Sequence, residues 1–445
     1  MSAATPARLL ALKVTAEMRQ RDAYAHNLIE KQVHMAPLST QERAFAIVLI
    51  LGVAATSGEL DLIIGRLPTK GKLHPKVHDA LRISTYELLF LGKEPHIAVN
   101  QGVELVRTVA PFAAGFANKM LKQIANMREA FPFGDPQTDD EALAHQYAFP
   151  LWLARRLIAD LGRKQAAAFM SASNTQAPVY LAELRSSAQA SPEHPRQVTA
   201  SHDTPDSTTR AHTNTPPTIK LRPDELSAQL PRVATGELII ADASAQEVAR
   251  LATPAAKGAF LEVGSGRGTK TVLLQHNALA AHGHQAQLIA LDVHAYKAKI
   301  LADRAAVYHL EHTRPVAGDI LELDALTGLL NLPHRYSGAL IDAPCSGTGT
   351  LRRHPEIRWH LKPESISAMA KSGLAMLAAV SERIAPGGFI VYATCSVLAE
   401  ENERVVEGFL ATEKGAAFTP TASLPSQLAL DGPDAHFAVK LQRKA

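Results

Sequence analysis

Apolar residues recur every three to four positions through the first third of the chain. Leu60, Ile63, Ile64 and Leu67 share one helical face, as do Val99, Val103 and Val106, and then Phe112, Phe116 and Met120. Pro37, Pro68, Pro75, Pro95 and Pro111 punctuate these stretches. Thr5-Pro6 offers an N-cap followed by a first-turn proline. Ser39-Thr40-Gln41-Glu42 has the spacing of a capping box just ahead of the apolar run Ala44 to Ala55. Residues 6 to about 130 therefore read as an all-α bundle. The apolar run of about a dozen residues is too short to cross a bilayer and predicts a buried helix.

The pattern then changes. Phe131-Pro132-Phe133-Gly134-Asp135-Pro136 cannot continue a helix and marks a boundary. A helical stretch follows from Pro150 to about Met170. From Arg185 to about Lys220, Ser, Thr, Pro, His and Gln replace almost every large apolar residue; this stretch cannot bury a core and predicts a disordered loop. Beyond Leu238 short apolar runs alternate with helical stretches: Ala259–Val263, Leu288–Asp292, Ala339–Asp342 and Phe389–Ala393. Such alternation predicts an α/β fold with a parallel sheet and binding loops at the carboxyl ends of its strands. Three regions are expected: helical residues 1–135, a connector over 136–235 holding the loop near 185–220, and an α/β domain over 236–445.

Composition adds little to this picture and charge distribution somewhat more. Hydrophobic residues make up 46% and charged residues 20%, with a formal net charge of +3. Residues 1–130 hold 16 Lys and Arg against 11 Asp and Glu, so the first domain is modestly basic and compatible with a phosphate backbone as partner. Lys70, Lys72, Lys76, Lys119 and Lys122 are candidates for phosphate contact, and an ordinary solvated surface accounts for them equally well. The two cysteines, Cys345 and Cys395, are too few for a disulfide scaffold and lack CxxC spacing, so no metal site is expected. A reducing, cytoplasmic compartment is the default, and the N-terminus carries no signal-peptide pattern. No membrane partner is expected.

The chemistry-bearing residues cluster at predicted strand ends. Glu262-Val263-Gly264-Ser265-Gly266-Arg267-Gly268 follows a strand and opens a helix, where glycines let the backbone approach a ligand. Alone, this turn is compatible with NAD, a flavin or S-adenosylmethionine. Asp292 ends the next strand, where an acid accepts from ribose hydroxyls, and Asp319 stands where a third strand should end, within reach of an adenine amino group. Each acid alone is equally well a helix N-cap. Three acids at successive strand ends favour an adenosyl ligand without a pyrophosphate, and the turn lacks the GxGxxG spacing of a dinucleotide site. Cys345, in Asp342-Ala343-Pro344-Cys345-Ser346-Gly347-Thr348-Gly349, and Cys395, in Tyr392-Ala393-Thr394-Cys395-Ser396, each follow a strand directly. Both should face the same rim as the glycine turn, which burial of a free cysteine as a small hydrophobe does not predict.

The Asp342–Gly349 run, continued by Leu351-Arg352-Arg353-His354-Pro355-Glu356-Ile357-Arg358-Trp359, resembles motif IV of the RNA cytosine-C5 methyltransferases. Tyr392–Ser396 with Glu400-Glu401-Asn402-Glu403 resembles their motif VI. The nearest likeness is to the bacterial 16S ribosomal RNA enzymes of the Sun/Fmu type. Residues 7–126, including Leu81–Leu91 and Ile97–Gln101, resemble the NusB-like RNA-binding domain fused to that subfamily, and Ala241–Gln246 resembles its stretch ahead of motif I.

The resemblance implies a Rossmann-like methyltransferase domain behind an all-α NusB-like domain. It implies S-adenosylmethionine as cofactor and 16S ribosomal RNA as partner, at the cytosine-967 type of site. It implies Cys395 as nucleophile, Cys345 as the aid to proton removal and product release, and Lys270 with Asp342 at the target base. Glu262, Val263, Gly264, Ser265, Gly266, Arg267, Gly268, Asp292, Asp319 and Asp342 would line the cofactor site. Arg352, Arg353 and Arg358 would contact RNA, and His354 is expected to be structural. The chemistry agrees: a thiolate adding to C6 of cytosine makes C5 nucleophilic, and a base must then remove the C5 proton.

Three features depart from the family pattern. Motif I reads Glu262-Val263-Gly264-Ser265-Gly266-Arg267-Gly268-Thr269-Lys270-Thr271 in place of Asp-x-Cys-Ala-Ala-Pro-Gly-Gly-Lys-Thr, with the acid-to-lysine spacing kept. The Arg-Val-Asn stretch is not recognisable near Leu181-Ala182-Glu183, and the Ser/Thr/Pro-rich insertion is extra. The competing readings are a transfer-RNA cytosine-C5 methyltransferase and a non-catalytic RNA-binding assembly factor, which would not need Cys345, Cys395, Asp342 and Lys270 together. A DNA cytosine methyltransferase would carry Pro-Cys-Gln where this chain has Pro344-Cys345-Ser346.

Overall fold

The computed structural model describes residues 3–21, 23–69, 71–184, 217–222 and 225–445. Lys70 and nearly all of the Ser/Thr/Pro-rich stretch lie outside the described residues. The chain divides into two compact units, residues 1–176 with 350–362, and residues 177–349 with 363–445.

The first unit is helical. Helices Pro6–Arg21, Thr40–Gly65, Pro75–Leu89, Pro95–Val109 and Ala114–Asn126 enclose a core that includes Leu49, Ile50, Leu60, Ile63, Leu81, Ile83, Leu105 and Leu121. Pro75 and Pro95 stand at first helical positions, where the missing N–H costs nothing. Ser39 Oγ accepts from the Glu42 backbone N–H at 3.2 Å, as a capping box requires. The reciprocal arm is used elsewhere: Glu42 Oε2 accepts from the Ala7 N–H at 2.7 Å and caps the first helix. The apolar run from Ala44 is part of a helix of 26 residues, longer than the run itself. By length and mean hydropathy (2.0) that helix could cross a membrane, but 56% of its most apolar window is buried inside the fold. The expected helix after Pro150 is two, Leu151–Leu161 and Arg163–Ser173, broken at Gly162 with φ +78°.

The second unit carries the sheets. Strands β1 (Val179–Glu183), β2 (Thr218–Leu221) and β3 (Leu238–Ile240) form a small antiparallel sheet in the order β2-β1-β3. The main sheet holds β4 (Ala259–Val263), β5 (Gln287–Asp292), β6 (Thr313–Ala317), β7 (Tyr336–Asp342), β8 (Ile384–Thr394), β9 (Phe418–Leu424) and β10 (Phe437–Arg443). Its order is β6-β5-β4-β7-β8-β10-β9. β6, β5, β4, β7 and β8 are parallel; β10 and β9 complete the edge antiparallel. The central strands read as continuous apolar runs because both faces are covered. Leu261, Ile289, Leu291, Ala339, Ile341, Ile390 and Tyr392 join one core. Phe260, Leu288, Ala290, Leu340, Val391 and Ala393 join the core on the opposite face. From β4 the chain first builds outward to β5 and β6, then returns to lay β7 on the other side. The β4–β7 junction is thus a topological switch point, where open α/β sheets bind ligands.

Candidate active site

The glycine turn sits at this junction. Gly264 has φ +78°, and a Cβ there would lie 2.4 Å from the Asp342 carbonyl oxygen, so no larger residue lets β4 and β7 end this close together. Gly268 has φ +87° at the N-cap of helix Thr269–His282, and a Cβ would lie 2.3 Å from Leu301 Cδ1. Asp292, at the end of β5, supports the turn: its Oδ2 accepts from the Gly266 N–H at 2.9 Å, its Oδ1 from the His294 N–H at 2.9 Å, and Lys297 Nζ is 3.7 Å away. Asp319 Oδ1 accepts from the Leu321 N–H at 2.9 Å and the residue stays exposed, so it is a cap and an available carboxylate at once. Arg267 is exposed.

A cavity of about 480 Å³ opens beside these residues, lined by Gly264, Gly266, Asp292, Asp319, Asp342 and Pro344 among others. It suits an adenosyl ligand. Two carboxylates stand at neighbouring strand ends, the exposed apolar side chains of Val293 and Leu321 flank them, and two polar atoms of the turn, Glu262 Oε1 and Ser265 Oγ, are buried with no hydrogen-bond partner among the described residues. Glu262 is wholly enclosed. Burial raises its carboxyl to about 8 against the opposing bond from Thr271 Oγ1, which donates to Oε2 at 2.6 Å.

Along the same rim, Lys270 Nζ donates to Asp342 Oδ2 at 2.8 Å. Burial alone would lower this amine, but the Asp342 carboxylate outweighs it and holds Lys270 above its ordinary value. Cys345 and Cys395 are free, half-buried, and have their sulfurs 3.3 Å apart; the Cys395 N–H also donates to Cys345 Sγ at 3.3 Å. The bond to Cys395 and burial push the Cys345 thiol well up, and Glu401 adds to the effect. Cys345, Cys395, Asp342 and Lys270 therefore meet at one edge, as expected. Among the described residues no group of three His, Cys, Asp or Glu is placed to hold a metal ion.

The three arginines after motif IV are enclosed to different degrees. Residues 350–362 fold with the helical unit. Arg358 is wholly buried there. Its guanidinium lies 4.1 Å from the Phe149 ring centre and donates to Asn174 Oδ1 at 2.8 Å and to the carbonyls of Tyr147, Ala148 and Ser173. Arg352 is buried too, and Arg353 is half-buried. His354 packs edge-on against Tyr24 and His26, consistent with a structural role. Lys72, Lys76, Lys119 and Lys122 are exposed.

Two features escaped the sequence. Glu401 gathers the serines that follow both cysteines; the repeated Cys-Ser pair was the available signal. His436 immediately precedes β10, whose Phe437 pairs with Thr394, so it stands beside the Cys395 end of the ladder. Its Nδ1 is buried without a partner among the described residues. Burial and Lys270 hold the imidazole below its usual range, against Asp242, Asp342 and Asp434. Nothing in the pattern around His436 sets it apart from a strand residue.

Comparison with known proteins gives the family and the fold. The family described as 16S rRNA methyltransferase RsmB/F matches residues 249–436, and the NusB family matches residues 5–126. The ribosomal RNA small subunit methyltransferase B of Sodalis glossinidius is 30% identical over 87% of this chain and 85% of its own. A probable ribosomal RNA small subunit methyltransferase B of Synechocystis is 29% identical over 91% and 89%. Among solved structures, PH0851 aligns over 100% of both chains with a TM-score of 0.71 at 17% identity. NSun6 from Pyrococcus horikoshii covers 67% of this chain and 99% of its own, with a TM-score of 0.51 at 14% identity. At these identities the structural likeness is one of fold.

Proposed function

Because this chain belongs to the 16S rRNA methyltransferase RsmB/F family, we propose that it forms 5-methylcytosine in 16S ribosomal RNA, at the cytosine-967 type of site, through a covalent adduct between Cys395 and C6 of the target base. The chain is an S-adenosylmethionine-dependent RNA cytosine-C5 methyltransferase. The observation that carries the finer reading is the meeting of two free thiols, 3.3 Å apart, with a Lys270–Asp342 pair at the carboxyl edge of the sheet.

S-adenosylmethionine supplies an electrophilic methyl group when bound, and Asp292, Asp319 and the Glu262–Gly268 turn would hold it. The Cys395 thiolate adds to C6 and breaks the C5–C6 double bond, placing the electron pair on C5. Asp342, steadied by Lys270, accepts from the cytosine amino group and fixes the orientation of the ring for attack. C5 takes the methyl group. Cys345 then serves release: its thiol passes a proton to the departing Cys395 sulfur, and the Cys345 sulfur takes the proton from C5 as the double bond re-forms. Atoms and charge balance, since the C5 proton replaces the one handed to Cys395.

The NusB match over residues 5–126 and the small-subunit names of the relatives support ribosomal RNA as the target. We assign RNA binding to residues 1–135, a connecting role to 136–235 and catalysis to 236–445, in the cytoplasm. Bisulfite sequencing of ribosomal RNA with and without the gene tests the reading: one small-subunit cytosine should lose its methyl group, and a methylation map unchanged in ribosomal RNA defeats it. Cys395→Ala should abolish methylation. Cys345→Ala should accumulate a protein–RNA adduct that survives a denaturing gel.

A further inference from the structure

Two sulfurs at 3.3 Å pose a problem that the reaction itself does not solve. If both were thiolates they would repel each other strongly, and if neither were, no attack would occur. Something must fix both their separation and which one gives up its proton.

Glu401 lies six residues beyond Cys395 and is 1% exposed. Its Oε1 accepts from the Ser346 N–H at 2.7 Å, and its Oε2 accepts from Ser346 Oγ at 2.6 Å and from Ser396 Oγ. Ser346 directly follows Cys345, and Ser396 directly follows Cys395. One carboxylate thus ties the residue after each cysteine. Thr348 closes the knot: its Oγ1 is 3.1 Å from Ser396 Oγ, 3.2 Å from Ser346 Oγ, and accepts from the Val397 N–H at 3.1 Å. Tyr392 Oη anchors the loop by donating to the Glu401 carbonyl at 2.8 Å.

No cationic side chain pairs with Glu401 among the described residues. A buried carboxylate neutralised only by neutral donors is costly, so its retention needs a reason beyond packing. Burial raises the Glu401 carboxyl, against the bonds from Ser346 and Ser396, and its charge disfavours the Cys345 anion. On the other side of the pair, the Cys395 sulfur supports the Lys270 cation, which also faces Asp342 and Glu262. The other charge facing Glu401 is Glu400.

We propose that Glu401 is a positioning residue for methyl transfer, which ties the two cysteine loops together and keeps the thiols unequal, so that Cys395 attacks as the thiolate while Cys345 keeps its proton for release. This rests on the roles given to the two cysteines above.

Alkylation by iodoacetamide, followed cysteine by cysteine by peptide mass spectrometry across pH, tests it on the full chain without RNA or cofactor. Failure of the RNA assignment would therefore leave the alkylation results unaffected; only the adduct-release readout depends on it. In the wild-type protein Cys395 should react first. In Glu401→Gln, Cys345 alkylation near neutral pH should rise about three- to tenfold, its profile moving to lower pH, with Cys395 little changed. Ser396→Ala keeps the charge but cuts the tie to one loop. It should leave Cys345 alkylation as it is and slow release of the RNA adduct by about tenfold. A purely structural role would lower stability without moving one cysteine in one direction. Unchanged Cys345 alkylation in folded Glu401→Gln, or unchanged adduct release in folded Ser396→Ala, overturns the proposal. So does equal or reversed reactivity in the wild-type protein, whether or not the variants fold.

Discussion

Lys270 Nζ and Asp342 Oδ2 meet at 2.8 Å, joining the first turn of the helix after the glycine turn to the end of β7. The pair spans the switch point of the sheet. Among the described residues only Oδ2 of Asp342 is engaged, by a lysine that the same carboxylate keeps protonated. The carboxylate is thus fixed in direction while keeping acceptor capacity for a base.

Removing either partner should therefore harm the chemical step more than binding. Asp342→Asn and Lys270→Met should each lower single-turnover methyl transfer by about 10²–10³-fold, the usual cost of one preorganised charged contact in a transition state. Because the two act as one unit, the double variant should be little worse than either single one. Additive losses in that cycle would show that they work independently.

A variant at Asp292 should separate cofactor binding from chemistry. Its carboxylate holds the Gly266 N–H and sits near Lys297, so Asp292→Ala loosens the turn and removes an acceptor together. S-adenosylmethionine affinity, measured by calorimetry, should fall about tenfold or more. Cys395 alkylation without cofactor should stay near the wild-type rate. An unaltered affinity would remove Asp292 from the site.

How much of this was legible follows from what each signal encodes. Strand ends are local: Val263, Asp292 and Asp342 close apolar runs, and the positions of Glu262, Cys345 and Cys395 follow from them. The helices announced themselves through caps and prolines, as at Ser39 and Pro75. β9 was missed because Thr419, Pro420, Thr421 and Ser423 give it an exposed, polar edge with no apolar run. The Glu401 knot was missed because its contacts cross 55 residues of chain to Ser346. The burial of Arg358 was not legible for a related reason: it follows Cys345 closely in sequence, whereas residues 350–362 fold with the helical unit.

Arg358 should accordingly behave as a core residue. Burial lowers its guanidinium to about 9, still charged at neutral pH, and backbone carbonyls and Phe149 replace its water. Arg358→Met strands those acceptors and should destabilise the helical unit by about 2–4 kcal/mol, read as a lower Tm. A phosphate contact would instead leave Tm alone and reduce the salt slope of RNA binding by about one. Thermal melts and salt titrations of the same variant decide between the two.

Glu262 gives the fold a pH dependence of definite sign. Its ordinary value is 4.5, and burial raises it to about 8 in the folded protein, with the Thr271 bond and Lys270 opposing the shift. Between those values the folded chain holds a proton that the unfolded chain has released. The group's contribution to stability is therefore full below about 4.5, declines as pH rises, and is gone above about 8, with a slope of at most about 1.4 kcal/mol per pH unit. Glu262→Gln cannot ionise and still offers an oxygen to Thr271 Oγ1, so it removes this slope. Urea titrations from about pH 5 to about pH 8 should find the variant gaining on the wild-type protein as pH rises, the two lying closest at the acid end. Parallel curves across that range would mean that Glu262 is ionised in the folded protein and that a partner satisfies it there.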